Sequence, residues 1–172
     1  MWAWFSLDLA ACLLIQNTKP IMHMITEKLL VGNINDAKEP PAKIGALLLV
    51  AAEYALESPG WLISVKIPFS EYAEAEPRLL DQAVSWVEEH ISGNRIMVCC
   101  RAGMGRSVSV VMAYLCCVQG MTYEQVFKLV MTRRPGAMPL PNLEEAIIQV
   151  RLLREARVKD KNKPASRPAS GA

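Results

Sequence analysis

The stretch Val98–Ser107 has the sequence VCCRAGMGRS, and it decides the fold class of this chain. An apolar run, Ile96–Val98, leads into it, and an apolar run of helical character, Val108–Val118, follows it. A strand, a glycine-rich loop and a helix in this order point backbone N–H groups toward an anion. The stretch therefore predicts a ligand-binding loop at the carboxyl end of a central strand in an open α/β sheet.

Cys100 and Arg106 are the chemically active side chains of this loop. Backbone N–H dipoles and a nearby guanidinium favour a thiolate, so we expect the pKa of Cys100 to fall below the free value of about 8.5. The Arg106 guanidinium fits two phosphate oxygens, and the Ser107 hydroxyl can hydrogen-bond the sulfur. Cysteine and arginine at this spacing also occur by chance, and a buried cysteine is commonly a small hydrophobe. The glycines and the strand–loop–helix context favour a phosphate loop with Cys100 as nucleophile.

The segment Cys100–Ser107 resembles the signature loop of the cysteine-dependent protein tyrosine phosphatases, in particular the dual-specificity branch. The resemblance extends over most of the chain, from Ile25 to Arg154. Weaker matches occur in the family's order at Ile25–Asn33, Ala46–Glu53, Ile67–Pro68 and Arg133–Gly136.

The resemblance implies a phosphatase that hydrolyses phosphotyrosine and/or phosphoserine and phosphothreonine through a phosphocysteine on Cys100. It implies that Ser107 eases the departure of the thiolate and that no metal or organic cofactor is needed. The phosphate would be bound by the loop residues Arg101, Ala102, Gly103, Met104, Gly105 and Arg106.

Two positions depart from the family pattern. Cys99 stands where the family usually has histidine, and the segment Ile67–Tyr72 lacks the usual aspartate general acid. The next aspartate, Asp81, lies inside a predicted helix. Glu71 is the best positional match for the acid, with Glu74 and Glu76 as alternatives. A glutamate can donate a proton, but its extra methylene displaces the carboxyl group; the other interpretation of Glu71 is a solvated loop carboxylate.

Two further functions stay open at this point. The missing histidine and aspartate favour a phosphate-binding pseudophosphatase module with little turnover, whereas the intact Cys100 and Arg106 favour an enzyme. A phosphatase for a non-protein substrate, such as a phosphoinositide or a phosphoglucan, is also compatible with Arg101 and the glycine pattern.

Composition narrows the class of protein. A chain of 172 residues suits one domain, and a net charge of +2 is too small to imply nucleic acid binding. Arg133 and Arg134 would add to a local positive field that favours an anionic substrate. The resemblance implies that this substrate is a phosphorylated protein. His23 and His90 lack metal-site spacing.

The chain has an odd number of cysteines, partly in adjacent pairs, which favours a reducing cytoplasm over a disulfide framework. These residues are Cys12, Cys99, Cys100, Cys116 and Cys117.

Three regions are expected along the chain. Residues 1–24 form an apolar extension that is too short for stable membrane insertion and contains Asp8. It is interpreted as an element packed on the domain, a membrane-surface helix or translation from an upstream start. Residues 25–158 form the catalytic domain, and residues 159–172 form a disordered basic tail.

Alternating strand and helix patterns predict a single three-layer α/β domain. Its central, mostly parallel sheet has about four to five strands, with helices on both faces. The strands are predicted at Leu29–Val31, Ile44–Ala51, Trp61–Ile67 and Arg95–Cys99. The helices are predicted at Pro77–Ile91, Gly105–Val118, Thr122–Arg133 (opened by a capping box) and Asn142–Val158.

Overall fold

The structure, a computed structural model, describes residues 22–161. Most of the predicted extension and most of the predicted tail therefore lie outside the described residues. The strands are β1 (His23–Met24), β2 (Leu29–Gly32), β3 (Ala46–Leu49), β4 (Ile63–Lys66) and β5 (Ile96–Cys99). The helices are α1 (Ile34–Lys38), α2 (Pro77–His90), α3 (Arg106–Cys117), α4 (Tyr123–Arg133) and α5 (Leu143–Lys161).

The strands form one sheet in the order β1-β2-β5-β3-β4. Only β1 runs antiparallel to its neighbour, and the other pairings are parallel. Cys99, the last residue of β5, is in register with both Gly32 and Leu49. The carboxyl ends of three adjacent strands therefore meet around the residue that follows Cys99. The predicted single α/β domain with a mostly parallel sheet is confirmed.

The central strands of the sheet are covered on both faces and form the middle of the core. Every residue of β2, β3 and β5 is buried, as expected for parallel strands, which pack on both faces. Helix α3 is buried along nearly its whole length, as expected for a helix that is apolar on almost every side. Each fully buried aliphatic side chain contributes roughly 1.5–3 kcal/mol, so this layer holds the start of α3 rigidly under the loop before it.

The alternation in Trp61–Ile67 predicts an apolar face that the structure buries only at its carboxyl end. Trp61 is 57% exposed and Ile63 is 44% exposed, whereas Ile67 is buried, as is Leu62 on the other face. The strand β4 is short and lies at the edge of the sheet. An edge position provides a neighbouring strand on one side only, which explains why the alternation is not matched by burial.

The helix ends follow local chemistry. Thr122 and Gln125 form the predicted capping box, with reciprocal hydrogen bonds of 3.0 and 3.2 Å. Helix α5 reaches Lys161 rather than Val158, because the three lysine and aspartate residues after Val158 contain no helix breaker. Asn142 precedes this helix in a left-handed conformation, φ 49°. Within the described residues, no helix is long and apolar enough to cross a bilayer.

Candidate active site

The site forms where β5 ends and α3 begins. Cys100 follows β5 directly and is only 2% exposed, and Arg106 is the first residue of α3 and is 4% exposed. The backbone N–H of Cys100 donates to the carbonyl of Gly32 at 3.4 Å. This contact ties the loop to the neighbouring strand, so the sheet positions the thiol.

The five consecutive carbonyls from Arg101 to Gly105 all accept hydrogen bonds from groups that surround the loop. The donors are, in chain order, Ile34 N at 3.3 Å, Arg134 Nη2 at 3.2 Å, Arg134 Nε at 2.9 Å, Met138 N at 2.8 Å and Ser109 N at 2.8 Å. In a planar trans peptide the N–H points opposite to the C=O. Turning these carbonyls outward therefore turns the loop's N–H groups inward, which makes an anion-binding concavity.

Gly103 is the position in the loop where only glycine fits. Its φ is +65°, and a Cβ atom there would lie 2.8 Å from the carbonyl oxygen of Gly32. Glycine adopts this conformation without steric cost. The residue therefore lets the loop curl back against β2 and close around Cys100.

Two opposing effects set the pKa of Cys100. Burial raises it, but hydrogen bonds from the Ser107 hydroxyl and from the backbone N–H groups of Ser107, Met104 and Gly103 lower it by more. The Ser107 oxygen lies 3.2 Å from the Cys100 sulfur. The net result is a pKa below the usual value of a thiol, which confirms the expected direction.

Arg106 is held by a carboxylate that the sequence analysis did not single out. Its Nη1 and Nη2 groups donate to the two oxygens of Glu53, each at 2.6 Å, and Nη1 also donates to the carbonyl of Phe69 at 3.1 Å. The bidentate pair holds the pKa of Glu53 below its usual range. Within the described residues, these bonds leave the Nε hydrogen and one Nη2 hydrogen of the guanidinium for an anion in the loop.

The position of Glu53 after β3 would indicate its role only if the order of the strands were known. Glu53 follows β3 by four residues, and β3 is the parallel neighbour of β5. Because the carboxyl ends of neighbouring parallel strands meet at one edge, a carboxylate there lies close to the start of α3. The sequence does not supply that strand order.

Of the three glutamates considered as the general acid, Glu71 is the one that lies at the loop. Its Oε1 atom lies 3.0 Å from Arg101 Nη2 and 3.9 Å from Arg106 Nη2. Glu74 is exposed, and Glu76 lines a separate groove beside α5. Asp81 lies on α2 and pairs with Arg157. The geometry thus favours Glu71 among the candidates, and its role as the acid stays a prediction.

The remaining cysteines of the described residues belong to the core. Cys99 is fully buried, and burial raises its pKa well above the usual value, as does the nearby charge of Asp36. Burial likewise raises the pKa of Cys116 to about 11. Cys117 lies beside it at the end of α3 and is partly buried. Cys99 and Cys116 are therefore core residues.

The two arginines at the end of α4 differ in what they contact. Arg134 donates to loop carbonyls, whereas Arg133 is exposed and its carbonyl is hydrogen-bonded to His23 at 3.0 Å. His90 lies at the end of α2 and is hydrogen-bonded to the carbonyl of Trp86. Sequence analysis predicted only a positive field from this arginine pair and missed the direct contacts of Arg134.

The lowered pKa of Cys100 leads to a redox prediction. At pH 7 the thiolate should react with peroxide, and a thiol reductant should restore function. The inactivation rate should rise with pH and level off below about pH 8.5, the range of a free thiol. Mass spectrometry should find the oxidised sulfur on Cys100 and leave the buried Cys99 unmodified. Resistance to peroxide at pH 7 would show that the Cys100 pKa is not lowered.

The chain is similar to proteins of known class. A family model described as the catalytic domain of dual specificity phosphatases matches residues 42–152. Dual specificity protein phosphatase 1B of Arabidopsis thaliana is 30% identical over 123 residues, covering 68% of this chain and 74% of that protein. Human DUSP28 superposes with a TM-score of 0.68 at 21% identity, covering 80% of this chain and 97% of that chain. PTPMT1 in complex with PI(5)P superposes with a TM-score of 0.66 at 16% identity, covering 80% and 98%.

Proposed function

This chain belongs to the dual specificity phosphatase family of cysteine-dependent phosphatases, and we propose that it hydrolyses phosphate monoesters of phosphorylated proteins through a phosphocysteine on Cys100. The substrates would carry phosphotyrosine, phosphoserine or phosphothreonine. The supporting observation is the loop itself, whose carbonyls are held outward so that its N–H groups surround one buried sulfur. Arg106 keeps one edge of its guanidinium free beside it.

The first step is attack of the Cys100 thiolate on phosphorus, in line with the leaving oxygen. The S–P bond forms as the P–O bond to the leaving group breaks, and the protonated Glu71 carboxyl gives its proton to that oxygen. The loop N–H groups and the Nε and Nη2 groups of Arg106 bind the equatorial oxygens. Because these donors are already oriented, they stabilise the transition state without reorganising.

The second step is hydrolysis of the phosphocysteine. The Glu71 carboxylate takes a proton from the attacking water as the new P–O bond forms and the S–P bond breaks. The sulfur departs as a thiolate, which accepts the hydrogen bond of Ser107. Inorganic phosphate is released, and Glu71 is protonated again for the next cycle.

Two other functions are tested beside this one. A binding module would keep the loop and lack turnover, and the replacement of the usual acid by Glu71 is the feature that favours it. A non-protein substrate is suggested by the shared fold of PTPMT1, whose structure holds PI(5)P, and by the exposed Arg101 beside the loop.

One experiment separates these functions. The full chain is assayed with an aryl phosphate, phosphotyrosine and phosphoserine peptides, a phosphoinositide and a phosphoglucan, with Cys100→Ser as the blank. Turnover of the peptides with the highest kcat/KM supports the proposal. A preference for the lipid or the glucan supports the non-protein alternative, and phosphate release no faster than the blank supports the binding module.

We further propose that residues 25–158 form the catalytic domain and that the protein works in the cytoplasm. Cys99, Cys100, Cys116 and Cys117 are all free thiols in the structure, and the nucleophile requires a reducing compartment to remain so. The family match falls within the proposed domain, as do β2 to β5, whereas β1 ends one residue before its start.

Replacement of Glu71 by Gln tests the weakest step of this mechanism. A poor leaving group needs protonation, whereas an activated aryl phosphate does not. We expect Glu71→Gln to slow phosphoserine peptide hydrolysis by roughly 10²-fold or more and to affect an activated aryl phosphate far less. Glu74→Gln is the matched control, because Glu74 is exposed and follows Glu71 by three residues. Parental rates for Glu71→Gln together with slow hydrolysis by Glu74→Gln would assign the acid to Glu74.

A further inference from the structure

Arg134 contacts the phosphate loop through the loop's outward carbonyls. It directly follows α4, is partly buried and is anchored by its own backbone N–H, which donates to Val130 at 2.7 Å. Its Nε donates to the carbonyl of Gly103 at 2.9 Å, and its Nη2 donates to the carbonyl of Ala102 at 3.2 Å. A single side chain therefore holds two successive carbonyls of the loop.

These two carbonyls belong to the peptides whose N–H groups face the nucleophile. The carbonyl of Ala102 shares a peptide plane with the N–H of Gly103, and the carbonyl of Gly103 shares one with the N–H of Met104. The backbone N–H groups of Gly103 and Met104 act on the Cys100 sulfur and lower the pKa of its thiol. Fixing one end of each plane thus fixes the donor at its other end.

The loop needs an external clamp at this point. Gly103 carries no side chain, and glycine populates positive and negative φ with similar ease, so its flanking peptides can rotate. The other three outward carbonyls, at Arg101, Met104 and Gly105, are held by backbone N–H groups. The carbonyls of Ala102 and Gly103 are held by the Arg134 side chain.

A buried carboxylate favours the guanidinium in this place. Asp36 is fully buried, and one of its oxygens accepts from the N–H of Asn33 at 2.8 Å. Its other oxygen has no hydrogen-bond donor among the described residues. Burial raises the pKa of Asp36, and the nearby charge of Arg134 opposes that rise. The guanidinium of Arg134 therefore reduces the cost of burying this carboxylate.

We propose that Arg134 is a positioning residue, whose planar fork turns the Ala102–Gly103 and Gly103–Met104 peptides so that their N–H groups face Cys100 and the bound phosphate. The inference rests on the proposed function, because it assigns these N–H groups to the reacting sulfur and phosphate. A lysine cannot replace the fork, since an ammonium group lacks two parallel donors at fixed spacing.

The test measures alkylation of Cys100 by iodoacetamide in the full chain as a function of pH, with vanadate as a competing ligand. Arg134→Gln should move the midpoint of the rate profile upward by roughly one pH unit, because two donors to the thiolate lose their orientation. The vanadate concentration that halves the alkylation rate should rise by about tenfold or more. Arg134→Lys should show smaller shifts in the same directions.

Arg133→Gln is the matched control, because it removes the same charge from the adjacent, exposed position. It should leave the pH midpoint of alkylation unchanged. The vanadate concentration that halves the alkylation rate should stay within about twofold of the parent value. If Arg134→Gln matches Arg133→Gln in both measurements, Arg134 has no positioning role. If a thermal unfolding measurement shows that Arg134→Gln is not folded, Arg134→Lys is compared with Arg133→Lys instead. Equal results for these two variants would likewise show that Arg134 has no positioning role.

Failure of the proposed function gives a different result. Alkylation and vanadate protection do not depend on turnover, so both report on the loop in a protein without phosphatase activity. A parent that shows a low alkylation midpoint and tight vanadate protection but hydrolyses no substrate contradicts the proposed function alone. The response of Arg134→Gln then still supports or overturns its positioning role.

Discussion

Cys100→Ser should abolish phosphatase activity, with a fall in kcat of roughly three orders of magnitude or more. The serine hydroxyl is not ionised at neutral pH, so it cannot replace the thiolate that attacks phosphorus. Phosphate or vanadate should still bind, since the loop N–H groups and Arg106 are unchanged. The measurements are steady-state hydrolysis of an aryl phosphate and titration with vanadate.

Cys99→Ser is the matched control for this experiment. Cys99 is fully buried at the end of β5 and packs against Gly32, where a Cβ atom on the glycine would lie 2.8 Å from the Cys99 sulfur. Its replacement buries a hydroxyl, so it should lower thermal stability while leaving kcat close to the parent value. Loss of turnover in Cys99→Ser, with activity surviving in Cys100→Ser, would reassign the nucleophile.

Arg106→Lys should reduce kcat/KM by roughly 10²–10³-fold. Lysine keeps the positive charge, but it loses both the bidentate contact with Glu53 and the two N–H groups directed at the equatorial oxygens. The loss should fall largely on kcat, because the charge in these oxygens develops in the transition state. Activity within threefold of the parent would show that this guanidinium does not contact the transferred phosphoryl group.

Glu53→Gln distinguishes orientation from charge at the same site. The amide oxygen of glutamine can still accept one hydrogen bond from Arg106. Its NH2 group cannot accept the second one, so the bidentate contact is lost. We expect a milder loss than for Arg106→Lys, on the order of tenfold in kcat/KM. A greater loss in Glu53→Gln than in Arg106→Lys would place the main catalytic role on the carboxylate.

The local sequence contains much of the site. Cys100, Arg106, Ser107 and the glycines lie within eight consecutive residues, so the strand–loop–helix pattern predicts their mutual placement without knowledge of the rest of the chain. Helices α2 and α4 were likewise predictable, because a proline in the first turn and a capping box act within a few residues. The strand around Trp61 was only partly predictable, since burial at a sheet edge depends on neighbours distant in sequence.

The tertiary structure decided which distant groups support the loop. Glu53 reaches Arg106 because β3 is the neighbour of β5, and Arg134 reaches Ala102 and Gly103 because α4 ends beside the loop. It also brings Glu71, rather than Glu74, next to Arg101. Sequence alone determined a phosphate loop with a nucleophile, because those residues are adjacent. The partners that orient it are separated from it by about 30 residues or more, and only the packing of strands and helices brings them together.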